Sequence, residues 1–121
     1  MASKKSPASK ATGRTIQRYE IYLVALDPTV GREVQKTRPC VVVSPNAMHV
    51  TGMAVVCPLT TSLHPAWAHR LQIRCASKDA EIMVDQIRAV SMDRLVKRID
   101  VLTNEDAEEL RSIISLLYAT A

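Results

Sequence analysis

Arg38 stands between Thr37 and Pro39 at the start of an apolar run, Cys40-Val41-Val42-Val43-Ser44, and is reached through the polar connection Asp27-Pro28-Thr29-Val30-Gly31-Arg32-Glu33. Pro39 drives the residue before it into extended backbone, so Arg38 is presented by its surroundings and not wound into a helix. A guanidinium stays protonated at any working pH and offers five donors in a planar fork. It therefore suits a phosphate whose charge rises during reaction. A fixed cation on a turn-rich loop between two strands points toward nucleic-acid chemistry.

The elements that must hold this arginine can be read from the apolar pattern. Tyr19 to Leu26 and residues 38 to 44 read as strands, and the connection between them, 27 to 37, is long for a hairpin. Long loops on a rigid sheet are where function tends to sit. A third strand, Met53 to Leu59, follows the turn signals Pro45-Asn46 and Thr51-Gly52 and ends in Thr60-Thr61-Ser62. Beyond a loop holding His64, Pro65 and Trp67, Arg70 to Cys75 and Glu81 to Arg88 alternate as strands, with Lys78-Asp79 marking the turn. Ala89 to Arg94 continues or bends the sheet.

Thr103 is expected to cap a helix, with Asp106 at the capping-box offset and Glu105, Glu108 and Glu109 near its positive end. Ala107, Leu110, Ile113, Ile114 and Leu117 form its apolar stripe. Several short strands and a terminal amphipathic helix imply a mainly β fold, a partly closed antiparallel barrel carrying a C-terminal helix.

Composition bounds the rest. A chain of 121 residues, 47% apolar and without Phe, can build one small aliphatic core. The net charge of +4 is carried by residues 1 to 18, which hold +5, whereas the remainder sums to −1. Residues 1–17 read as a disordered basic extension, either merely solvated or a phosphate tether, ahead of a single domain over 18–121. No stretch suits a secretory signal or a membrane span, so a soluble, cytoplasmic protein is expected. Cys40, Cys57 and Cys75 read as reduced core thiols. Cys57, His64, His69 and Cys75 match no tight zinc spacing, and neither metal nor cofactor is expected.

Several of these segments, taken in register, resemble the MazF/PemK family of type II toxins, which cleave messenger RNA and are held in check by small antitoxins. The matching residues are Glu20-Ile21-Tyr22-Leu23-Val24, the Asp27 to Glu33 loop, Thr37-Arg38-Pro39, Val56-Cys57-Pro58-Leu59-Thr60-Thr61, Asp85-Gln86-Ile87-Arg88-Ala89-Val90 and Arg94-Leu95. The resemblance implies an SH3-like barrel with a C-terminal helix, a homodimer, a cognate antitoxin as partner and single-stranded RNA as substrate. It also implies a catalytic pair, Arg38 and Thr60, with Glu33 and Asp85 near the site. Tyr19, Leu23 and Met83 depart from the family pattern. At Met83 the PemK-like branch can carry a catalytic Arg, so that branch's acid and base assignment does not transfer directly.

Metal-free RNA cleavage needs a base for the 2′-hydroxyl, donors for the charged phosphorane and a proton for the departing 5′-oxygen. Arg38 and Thr60 suit the donor role. Glu33, Asp85 and His64 have the types for a base, though a loop histidine is usually just solvated. Arg32, Lys36, Thr61, Arg70 and Arg74 are candidate RNA contacts, and Trp67 is either a stacking platform for a base or a protein contact. Each has a plainer alternative: Arg38 pairing with Glu33 or Asp85, Thr60 capping a turn, Asp85 satisfying backbone donors. A toxin that binds DNA gyrase without cutting RNA has a similar fold and is the alternative function.

Overall fold

β1 (Glu20–Ala25) and β2 (Thr37–Val42) run antiparallel, with Ile21 opposite Val41 and Ala25 opposite Thr37. The architecture comes from a computed structural model that describes residues 15–26 and 37–119. The expected positions Arg32, Glu33 and Lys36, and the extension over 1–14, lie outside the described residues.

β3 (Met53–Thr60) is the strand on which the sheet turns. One edge pairs with β2, Cys40 opposite Pro58 and Val42 opposite Val56. Its other edge is shared: Met53 to Val56 pair with β6 (Arg88–Ser91), and Leu59 and Thr60 pair with β5 (Lys78–Met83). Pro58, which has no N–H to give a ladder, falls between these two pairings. β4 (Arg70–Cys75) closes one side against β5, and β7 (Leu95–Val101) closes the other against β1. The strand order is β4-β5-β3-β2-β1-β7, a curled antiparallel sheet.

Alternation along the strands splits the core in two. Val41, Cys57, Leu59 and Ile82 point to a cluster covered by α1 (Asn104–Tyr118), and Tyr22, Cys40, Val42, Val56 and Val90 point to one inside the curl. Ile16 belongs to the second cluster and is 1% exposed. The folded body thus includes residues that sequence reading placed in the extension. His49 secures them: its Nδ1 lies 3.1 Å from the Ile16 carbonyl, which can only accept, so Nδ1 carries the proton and Nε2 accepts from the Ser44 hydroxyl at 2.8 Å.

The helix begins as expected, with Asp106 N–H donating to Thr103 Oγ1 at 3.1 Å. Replacing Thr103 by Ala is expected to cost about 1 kcal/mol, measurable by denaturant unfolding. Ala107 and Leu110 are buried, Ile113 and Ile114 half-buried, and Leu117 at the end of the stripe is 38% exposed. No helix among the described residues is long and apolar enough to cross a membrane.

Three local expectations are corrected. The β4–β5 turn is Ala76-Ser77, not Lys78-Asp79, with φ of 51° and 70°. Two left-handed residues match the twist of a two-residue hairpin, and the cost of that backbone without Gly is offset by Ala76 N–H donating to Asp100 Oδ2 and by Arg74 donating to the Ser77 carbonyl. The strand expected over 81–88 breaks at a 3₁₀ turn, Val84–Gln86, which Tyr118 pins by donating its hydroxyl to the Val84 carbonyl at 2.9 Å. β7 was not expected at all.

Candidate active site

Arg38 and Thr60 lie on neighbouring strands just past the paired stretch of β2 and β3, whose last partners are Cys40 and Pro58. Arg38 Nη1 donates to the Leu59 carbonyl at 3.3 Å, which steadies the guanidinium and leaves most of its donors unspent on that contact. Thr60 Oγ1 accepts from Ser62 N–H at 3.1 Å, so its hydroxyl proton points elsewhere. Arg38, Thr60 and Thr61 all line one cavity of about 590 Å³, bounded also by Pro39, Lys78 and Ile99. A cation and two hydroxyls on a shared wall can bind one phosphodiester.

Asp85 is placed differently. It lies on the 3₁₀ turn, and its Oδ1 accepts from Arg70 Nε at 2.8 Å with His69 Nε2 at 3.9 Å. The carboxyl feels some desolvation, which pushes its pKa up, but the hydrogen bond and charge of Arg70 win and hold it below its usual value. Its ion-pair partner is Arg70.

Arg70 is the hub of a buried network that sequence reading missed. Glu81 is fully buried on β5, and its carboxylate accepts from Arg70 Nη1 and Gln72 Nε2, each at 2.6 Å, and from the backbone N–H of His64. Burial alone would raise the Glu81 pKa, yet these donors and the Arg70 charge bring it down to about 2. Arg70 also lies over the Trp67 indole, 4.7 Å from the ring centroid, and His64 stacks on the same indole at 3.9 Å. Trp67 remains 42% exposed, but its ring is already engaged by its neighbours. The Thr61–His69 connection is therefore tied down by Glu81, which no sequence pattern marked as an interior residue. Arg74 lies apart on the β4–β5 hairpin, paired with Asp79 at 2.9 Å.

The cysteines offer no nucleophile. All three are buried and free, and burial pushes Cys40 and Cys57 up to about 12, despite the opposing charges of Arg38 and Arg88 near Cys40. Among the described residues no three His, Cys, Asp or Glu side chains are grouped to hold a metal.

The sequence profile of the PemK-like, MazF-like toxins of type II toxin-antitoxin systems matches residues 17–118. The chain belongs to that family. It is 33% identical to the endoribonuclease toxin ChpB of Escherichia coli strain K12 across 77% of this chain and 85% of that one. Against the endoribonuclease PemK of Escherichia coli the identity is 51%, over a stretch that is 38% of this chain and only 35% of that protein. The fold of this PemK/MazF member superimposes on a MazE-MazF structure from Deinococcus radiodurans with a TM-score of 0.76, at 19% identity and covering 89% of this chain and 99% of the other. The curled sheet and C-terminal helix are thus those of MazF structures.

Proposed function

We propose that this PemK/MazF member is the toxin of a type II toxin-antitoxin pair and cuts single-stranded RNA within its chain. The observation that carries this is that Arg38 and Thr60 line one cavity. Named relatives are endoribonucleases, and a MazF of the same fold is found with MazE, which supports a cognate antitoxin. An acidic, extended segment filling the same cavity would inhibit by occupation. We place the toxin in the cytoplasm, as a homodimer.

The 2′-oxygen attacks phosphorus as its proton passes to a base, the new 2′-O–P bond forms, and the P–O5′ bond breaks as the 5′-oxygen takes a proton. The products are a 2′,3′-cyclic phosphate and a 5′-hydroxyl. Arg38 neutralises the phosphorane and Thr60 donates to a non-bridging oxygen, both prearranged on a rigid sheet. Two candidate bases are compromised by their surroundings: Asp85 is held ionised and weakly basic by Arg70, and His64 is stacked on Trp67 with Nδ1 toward Glu81. That leaves Glu33, in the connection leading to Arg38, as our assignment for the base. The test is a defined transcript incubated in chelator with the parent protein and with Thr60→Ala. Cyclic phosphate ends from the parent and a strong loss for the variant are expected; 5′-phosphate ends would make water the nucleophile and overturn the mechanism.

A further inference from the structure

The cavity that holds Arg38 and Thr60 has an apolar side as well as a polar one. Leu59, Ala80 and Ile99, which belong to or pack against the core cluster under α1, form part of its lining, and Lys78 of β5 joins them. The β4–β5 hairpin puts that lysine there. Alternation along β5 sets Lys78, Ala80 and Ile82 on one face, and Lys78 is the cross-strand partner of Cys75, which also lines the cavity. The tip of the hairpin is held from outside, Ala76 N–H donating to Asp100 Oδ2 at 2.7 Å, so the backbone that carries Lys78 is fixed.

The fold does not account for this ammonium. Lys78 is exposed, and among the described residues it has no hydrogen-bond or ion-pair partner for its side chain. The acids around the hairpin are committed elsewhere: Asp79 pairs with Arg74 at 2.9 Å, and Asp100 accepts from the N–H groups of Ala76 and Val101. An exposed lysine is ordinary, but this one shares a cavity of about 590 Å³ with the Arg38 fork and an apolar wall. That volume lies within the roughly 300–1,000 Å³ of pockets that enclose small ligands. Two cations with an apolar surface between them match a nucleotide, whose flat base sits beside a backbone with a phosphate at each end.

We propose that the cavity holds one nucleotide of the RNA beside the cut: its base lies against Leu59, Ala80 and Ile99, one of its phosphates is the scissile group at Arg38 and Thr60, and Lys78 binds the phosphate at its other end. The inference rests on the RNA-cleaving reading above. It makes Lys78 a substrate-binding residue and Ile99 a contact that influences which base is accepted next to the cut. A phosphate contact has a signature that a structural residue lacks: each one lost on a single strand lowers the dependence of log K on log salt by about 0.7.

The probe is a long labelled messenger transcript, its binding measured over a salt series in a Thr60→Ala background that suppresses cutting. Lys78→Gln is expected to bind about tenfold more weakly at low salt, with the slope reduced by about 0.7, and Lys78→Arg to keep the slope. Arg111→Gln removes a charge from α1, outside the cavity lining, and is expected to leave the slope alone. In the cutting-competent protein, Ile99→Ala is expected to change the base preference beside the mapped cut sites, and Ile99→Val, which disturbs the core less, to change it in the same direction. If the transcript binds the background protein but Lys78→Gln binds like it at every salt, or if Arg111→Gln lowers the slope as much, the Lys78 contact is refuted while the RNA reading stands. An unchanged base preference in both Ile99 variants refutes the base site. If the background protein binds no transcript and the parent cuts none, subsite and RNA reading fall together.

Discussion

Replacing Arg38 by Ala is expected to slow transcript cleavage by about 10²- to 10³-fold with the fold intact, the usual cost of losing one preorganised donor to a developing oxyanion. The side chain is exposed, and its hydrogen bond to the Leu59 carbonyl is long at 3.3 Å, so little stability rests on it. Arg38→Lys retains the charge but not the planar fork, and should recover only part of the rate. Single-turnover cleavage, which removes product release from the measurement, is the appropriate readout. Arg38→Ala cutting at the parent's rate would remove the central residue of the proposed mechanism. A loss of rate accompanied by an equal loss of unfolding free energy would assign Arg38 to structure instead.

The second large effect concerns stability. Glu81→Ala is expected to cost about 3–5 kcal/mol, because it leaves the buried Arg70 charge short of a partner and strands the Gln72 amide and the His64 N–H. Against a total of roughly 5–15 kcal/mol for a domain, that is enough to unfold much of the population on mild warming. The same carboxylate makes a prediction about pH. Its folded pKa of about 2 lies below the ordinary value of 4.5, so the unfolded chain binds the proton more readily between them. Its contribution is therefore complete above about pH 4.5 and drains away as the pH falls toward 2. Urea titrations at a series of pH values should show this slope in the parent and a flatter one in Glu81→Gln. Identical acid profiles would mean the network does not stabilise the fold as described.

How far these groups could be found in the sequence depended on what fixed them. Arg38 and Thr60 lie where two apolar runs meet polar punctuation, and family motifs mark both; the pairing of β2 with β3 then puts them on neighbouring strands. The capped helix was visible because its signals are local. Glu81 was not, because it follows Lys78 and Asp79 as one more charged residue of β5, and only the approach of Arg70, Gln72 and the His64 backbone makes its burial tolerable. The Ala76-Ser77 turn carries no Gly or Asn, so Lys78-Asp79 looked the better signal; contacts from Asp100 and Arg74 decide the matter from outside the hairpin. β7 escaped notice for a related reason. It is a sheet edge in which Leu95 alone is fully covered, and Lys97, Arg98 and Asp100 interrupt any alternation.

That last strand has an implication for the order of events as the polypeptide is made. β1 takes β2 as one neighbour and β7 as the other, with Glu20 opposite Val101. A ribosome thus exposes the first strand long before its outer companion exists. Pairings so far apart in the chain form slowly compared with local hairpins. A growing copy therefore keeps that flank of β1 open until Leu95–Val101 has been made and can close it.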